Sequence, residues 1–153
     1  MDSSLKIFIV EDDLFYQTML FGVLKLRNFK HVKKMATGKE CLENLYLKPD
    51  VIILDYSLSD MNGVELFKQI KKIDPNIKVI FLSGQQNGMV VIKTLRLGAI
   101  EYFEKSSENI MSLIKLVQRI SIDKKYKITG FFKVHHKPEQ ERLILKYISL
   151  VNL

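Results

Sequence analysis

The chain has 153 residues, 47% of them hydrophobic, enough for one domain of ordinary size with a short appendage. No apolar run is long enough to span a bilayer, the start Met1-Asp2-Ser3-Ser4 lacks the pattern of a secretory signal, and the lone Cys41 excludes an internal disulfide, so a soluble cytoplasmic chain with no membrane partner is expected. The net charge of +7 is uneven: residues 1–122 hold 17 Lys/Arg and 14 Asp/Glu, residues 123–153 hold 7 and 3, which assigns any polyanion binding to the tail rather than the body.

In chain order, Ile7-Phe8-Ile9-Val10 is continuously apolar and predicts a strand. Residues 14–27 predict a helix with Leu20, Phe21 and Leu24 on one face. A weak apolar run from Val32 to Ala36 predicts a second strand, and residues 38–47 a helix that gathers Cys41, Leu42 and Leu45. The thiol then reads as a buried structural group. Val51-Ile52-Ile53-Leu54 predicts a third strand, followed by a helix over 63–72 carrying Val64, Phe67 and Ile70 and stopped by Pro75-Asn76. Val79-Ile80-Phe81-Leu82 predicts the fourth strand. A helix over 87–97 with Val91, Ile92 and Leu95 follows, and Gly98 stands where a left-handed cap is wanted. Ile100 to Phe103 predicts the fifth strand, and residues 107–121 the fifth helix, with Ile110, Leu113, Ile114 and Val117 together.

Three of the five strand runs are β-branched and apolar throughout, the pattern of strands covered on both faces. The alternation of strand and helix predicts an α/β fold with a parallel sheet and right-handed crossovers over residues 1–122. Asp123-Lys124-Lys125 reads as a polar hinge into a basic extension, 123–153. There Ile128 to Val134 reads as a short strand or loop, and Pro138 opens an amphipathic helix, 139–151, with Leu143, Ile144, Tyr147, Ile148 and Val151 at helical spacing.

Ligands of open α/β sheets bind beyond the carboxyl ends of the strands. After the first run come Glu11-Asp12-Asp13, after the third Asp55, after the fourth Ser83-Gly84, and after the fifth Glu104-Lys105. If the strands are parallel, these residues converge on one rim. Crowded carboxylates repel, and a hard divalent cation such as Mg²⁺, which takes oxygen ligands, resolves the repulsion. Asp12 or Asp13, Asp55 and a backbone carbonyl just beyond Asp55 are candidate ligands. Asp55 is a candidate nucleophile for a phosphoryl group, with Lys105 and Ser83 placed to contact the phosphoryl oxygens.

In these residues the chain resembles the receiver domain of two-component response regulators across roughly residues 5–122. The likeness rests on Glu11-Asp12-Asp13, on Leu54-Asp55 with Met61-Asn62-Gly63 ending eight residues after the aspartate, on Ser83-Gly84, and on Tyr102 three residues before Lys105. The resemblance implies a flavodoxin-like, doubly wound five-stranded parallel sheet of order 2-1-3-4-5 with a C-terminal helical extension. It implies Asp55 as phosphoacceptor from a histidine kinase or phosphotransfer protein. It also implies Mg²⁺ held by Asp12, Asp13, Asp55 and the Ser57 backbone carbonyl, with Asp13 the direct ligand of the acidic pair. Lys105 would contact the phosphoryl group, and Ser83 and Tyr102 would form a switch in which the tyrosine rotates inward. The surface of the fourth helix, fifth strand and fifth helix would then change shape. Ser57 and Gln85 stand at positions that vary in the family and tune phosphoryl lifetime.

Two departures stand out. Ser106 follows Lys105 where the family usually has a proline after a cis bond; a cis bond to serine costs about 3 kcal/mol, so either the bond is trans and the loop differs, or strain is retained. Ser59 replaces a common proline, which suggests a more mobile loop after Asp55. The output is open between docking a downstream protein, homodimerisation through the tail helix, and a DNA-binding regulator fragment; the receiver part itself does not indicate nucleic acid. A metal-dependent phosphatase on a similar sheet is a further alternative, disfavoured because Ser57 stands where that class carries a second aspartate. A signalling domain rather than a turnover enzyme is the expectation.

Overall fold

A computed structural model describes residues 3–84 and 87–128. Gln85 and the expected extension beyond Ile128, including the helix over 139–151, lie outside the described residues. The strands are β1 (Ser3–Val10), β2 (Phe29–Met35), β3 (Val51–Asp55), β4 (Lys78–Ser83) and β5 (Glu101–Glu104). The helices between and after them are α1 (Leu14–Leu26), α2 (Gly38–Glu43), α3 (Gly63–Ile73), α4 (Gly88–Arg96) and α5 (Ser107–Ile128). All four strand pairings are parallel, and the sheet order is β2-β1-β3-β4-β5. This is the expected doubly wound, flavodoxin-like architecture.

The central strands carry almost no polar residues because helices cover both faces. Side chains alternate between two apolar clusters. Phe8, Val10, Ile52, Leu54, Val79 and Phe81 point to one, with α2, α3 and α4. Ile7, Ile9, Val51, Ile53, Ile80 and Leu82 point to the other, with α1 and α5. Cys41 is buried in the first, as its helical neighbours require.

Three elements differ from the sequence expectation. The helix over 38–47 breaks: α2 stops at Glu43, and Leu45–Leu47 form a 3₁₀ turn. Asn44 ends it, donating its side-chain amide to Glu40 O and accepting from Lys33 Nζ. The second strand begins at Phe29 rather than Val32, since β2 is an edge strand whose polar residues face solvent. The polar hinge at 123–125 is absent. Helix α5 runs through it to Ile128, held by buried Ile120 and by Lys124, which donates to Asp50 Oδ2 at 2.6 Å and Ser4 O at 3.4 Å. A half-exposed pair of this kind contributes under about 1 kcal/mol, so it fixes direction more than stability. Gly98 does adopt φ +104° after α4, the left-handed cap its position requires.

Candidate functional site at the carboxyl ends of the strands

The parallel registers bring the ends of β1, β3, β4 and β5 to one rim: Val10 lies beside Leu54, Asp55 beside Leu82, and Ser83 beside Glu104. Asp55 is the last residue of β3 and is buried. Lys105, just past β5, reaches across so that its Nζ lies 3.0 Å from Asp55 Oδ2 and 2.7 Å from Glu11 Oε2. It donates a hydrogen bond to Glu11 Oε1 at 2.9 Å, and its backbone N–H donates to Ser83 O at 2.7 Å. The Nζ also sits 5.1 Å from the centre of the Tyr16 ring on α1. The sequence therefore brings together Glu11, Asp12, Asp55, Ser83 and Lys105 from four strand ends.

The acidic triplet divides its labour differently from expectation. Glu11 is fully buried and, with Asp12 and Asp55, offers carboxylate oxygens that all lie within 4.8 Å of one another. Asp13 is not in this group. Its carboxylate caps α1, accepting from Phe15 N at 2.9 Å and Tyr16 N at 3.0 Å. The sequence expectation puts Asp13 on the metal; the structure gathers Glu11, Asp12 and Asp55 and gives the Asp13 carboxylate to the helix cap. The physical reason is that the first turn of α1 has unpaired N–H groups, and an aspartate at the N-cap satisfies them. An acid directly before the apolar-periodic run Leu14–Leu26 was the available signal.

Electrostatics fit this partition. Burial pushes the Glu11 carboxyl up to about 7, reinforced by the Asp55 charge and opposed by Lys105. Burial by itself would lower the Lys105 ammonium, but the hydrogen bonds and charges of Glu11 and Asp55 outweigh it and hold the group above its ordinary value. Glu11 Oε2 lies in ion-pair range of Lys105 yet accepts no aligned hydrogen bond. Three convergent carboxylates, one of them with a buried oxygen held by an ion pair and by no aligned hydrogen bond, are a donor set that fits a hard divalent cation.

The loop after Asp55 is pinned at both ends. Ser57 N–H donates to Asp55 Oδ1 at 3.3 Å, and Ser57 bridges to Asn62. Asp60 accepts from Gly38 N and Lys39 N, both at 2.9 Å, tying the loop to the start of α2. Burial alone would raise the Asp60 carboxyl, but these and neighbouring backbone donors hold it below its ordinary value. Asp60, which sequence reasoning did not single out, thus supplies the anchoring expected to be missing at Ser59. Gly63 is required for close approach: a Cβ there would stand 2.5 Å from Asp55 O and 2.9 Å from Tyr56 Cα. That contact explains why a glycine stands eight residues after the aspartate.

On the β4–β5 side, Ser83 and Tyr102 are both buried. The Tyr102 ring stacks on Phe81, centroids 6.4 Å apart. Burial raises the Tyr102 hydroxyl, and a side-chain hydrogen bond with Ser83 lowers it in part. The ring is therefore already turned inward, where it was expected to arrive only on switching. No cis bond occurs among the described residues, so Lys105–Ser106 is trans. Ser106 instead caps α5, its Oγ accepting from Asn109 N at 3.2 Å.

A five-stranded parallel sheet of this order, with a lysine bridging buried acids beside the third-strand aspartate, defines a receiver-type signalling fold. The response regulator receiver domain profile matches residues 7–118. The chain is 32% identical over 101 residues to the chemotaxis protein CheY of Thermotoga maritima, covering 65% of this chain and 84% of that one. It is also 32% identical over 102 residues to CheY of Listeria monocytogenes, covering 66% and 86%. Among solved structures, a CheY-like receiver domain protein from Methanospirillum hungatei superposes with a TM-score of 0.72 at 26% identity, over 81% of this chain and 99% of that one. The BeF3-activated DrrB receiver domain gives 0.69 at 29% identity, over 78% and 97%. The chain belongs to the response regulator receiver family.

Proposed function

We propose that this receiver accepts a phosphoryl group on Asp55 in a Mg²⁺-dependent reaction, from a histidine kinase or phosphotransfer protein, and signals by a change of surface at α4, β5 and α5. The observation that carries the reading is Lys105 Nζ, within 3.0 Å of Asp55 and 2.7 Å of Glu11 at the buried end of β3. Glu11, Asp12 and Asp55, with the Ser57 backbone carbonyl, would hold the metal; Asp13 serves α1. When bound, the cation neutralises charge that otherwise opposes an incoming phosphoryl group. Asp55 supplies the nucleophilic carboxylate oxygen, which bonds to phosphorus as the donor's phosphorus–nitrogen bond breaks. Lys105, already paired to Asp55, shifts its bonds toward the new phosphoryl oxygens at little cost in reorganisation.

The switch rests on Ser83. Its side chain now hydrogen-bonds Tyr102; a phosphoryl oxygen is a stronger acceptor and draws the hydroxyl away. Tyr102 then gains or loses contacts with α4 and α5, and the phosphoryl group biases the surface only through that difference. The receiver unit ends within α5, and residues 123–153 extend it toward the output. Ser57, and Gln85 outside the described residues, stand where they tune hydrolysis of the acyl phosphate. Acetyl phosphate with Mg²⁺ is expected to add one phosphoryl group, seen by intact mass, and Asp55→Asn to add none. Labelling of the Asp55→Asn protein to the same extent would refute the assignment, and catalytic turnover of a phosphate ester would revive the phosphatase reading.

A further inference from the structure

The face opposite the candidate site, where the strands begin and the helices end, has a composition of its own. Five segments meet there: 24–30, 44–50, 71–78, 93–100 and 120–125. Their adjacency shows in Asp50 N–Lys6 O at 2.9 Å, Lys78 N–Asp50 O at 3.0 Å and Ile100 N–Val79 O at 2.9 Å. A hollow of about 370 Å³, lined in part by Leu5, Lys48, Asp50, Lys78, Ile120 and Lys124, opens on it. Together the five segments contain eleven Lys/Arg against Asp50, Asp74 and Asp123 alone. Their charge exceeds that of the whole chain, so the rest of the protein is net acidic. The near balance of the body conceals a molecule polarised along its strands.

Helix dipoles favour cations in last turns, which accounts for Lys25, Lys71, Lys72, Lys93 and Arg96. They do not account for the apolar tips. Leu26, the last residue of α1, is 83% exposed, and Ile73, the last of α3, 62%. Tyr46 after α2, Leu97 after α4 and Ile122 near the end of α5 are exposed too. Each helix exit thus presents a large apolar side chain among basic ones.

We propose that this amino-end face docks on an anionic lipid bilayer. Clustered lysines and arginines are drawn to acidic headgroups, and exposed aliphatic side chains with an aromatic among them gain by entering the headgroup–acyl boundary. A nucleic acid backbone would use the cations but leave Leu26, Ile73 and Ile122 without a favourable environment. Docking needs no spanning helix, and among the described residues none is long and apolar enough to span. It directs Asp55 and its rim away from the lipid, open to a protein partner. The inference does not depend on phosphorylation.

The test is co-sedimentation of the full chain with vesicles of phosphatidylcholine, with and without phosphatidylserine. Binding is expected only with the anionic lipid and falling with salt. A double variant, Arg27→Glu with Lys72→Glu, should weaken it by about fivefold or more per cation removed. Leu26→Ser with Ile73→Ser should weaken it at constant charge, with circular dichroism confirming that both variants are folded. The proposal is overturned if anionic vesicles do not pull the protein down at low salt, or if both folded variants bind like the parent. A short DNA duplex that binds as tightly as the vesicles, with no sensitivity to the Leu26 and Ile73 changes, would also overturn it.

Discussion

Glu11 is completely buried, and a carboxylate can remain there only because Lys105 and the Asp13 N–H donate to it. The pairing divides three consecutive acids into two tasks, and the division is testable residue by residue. Glu11→Gln is expected to weaken Mg²⁺ binding at least about tenfold by calorimetric titration. Asp13→Ala should leave that affinity within a small factor while lowering stability by about 1 kcal/mol through loss of the cap. The reverse ranking would return Asp13 to the metal. Cys41 gives a second measurement at this scale. Burial, aided by the Glu40 charge, pushes its thiol from 9.0 up to about 12. The folded state therefore keeps a proton that the unfolded chain releases, and this contribution is complete below pH 9 and lost as pH rises toward 12. In urea titrations the advantage of the native chain over Cys41→Ala should shrink by roughly 1–2 kcal/mol between about pH 8 and 10.5.

At the scale of elements, the approach of α3 to the end of β3 decides where Asp55 points. Gly63→Ala forces backbone apart and is expected to cost about 1–3 kcal/mol and to slow labelling of Asp55. Gly22→Ala is the matched control: nothing lies within 4 Å of a Cβ there, and a helix-interior alanine should stabilise by about 0.5–1 kcal/mol. Equal effects of the two changes in urea titrations would contradict the steric account. Strands and most helices were legible in the sequence because β-branched runs and helical spacing are local signals. What was not legible depended on distant partners. Asp60 reaches α2 across the fold, Asn44 stops its helix by side-chain bonds, and Lys124 carries α5 past a polar stretch by reaching Asp50. None of these contacts leaves a periodic trace.

For the molecule as a whole, the parallel sheet sorts the chain into an acidic rim of strand ends and a basic face of strand beginnings. The site was readable because every strand contributes its next residues to one rim, so linear order becomes spatial neighbourhood once the sheet is parallel. The basic face was not, since it is assembled from five segments that lie far apart along the chain with acidic residues between them. The state of Tyr102 was likewise beyond reach, for its burial against Phe81 depends on how α4 closes over β5. The claim on which the functional account turns is that the reactive carboxylate of the acidic rim is Asp55. Borohydride reduces an acyl phosphate, so treatment of protein labelled with acetyl phosphate and Mg²⁺, followed by peptide mapping, locates the modified residue. The account predicts that position 55 alone is converted to homoserine, and only when Mg²⁺ was present. Conversion at another acid, or an equal yield after removal of Mg²⁺ by a chelator, would contradict it.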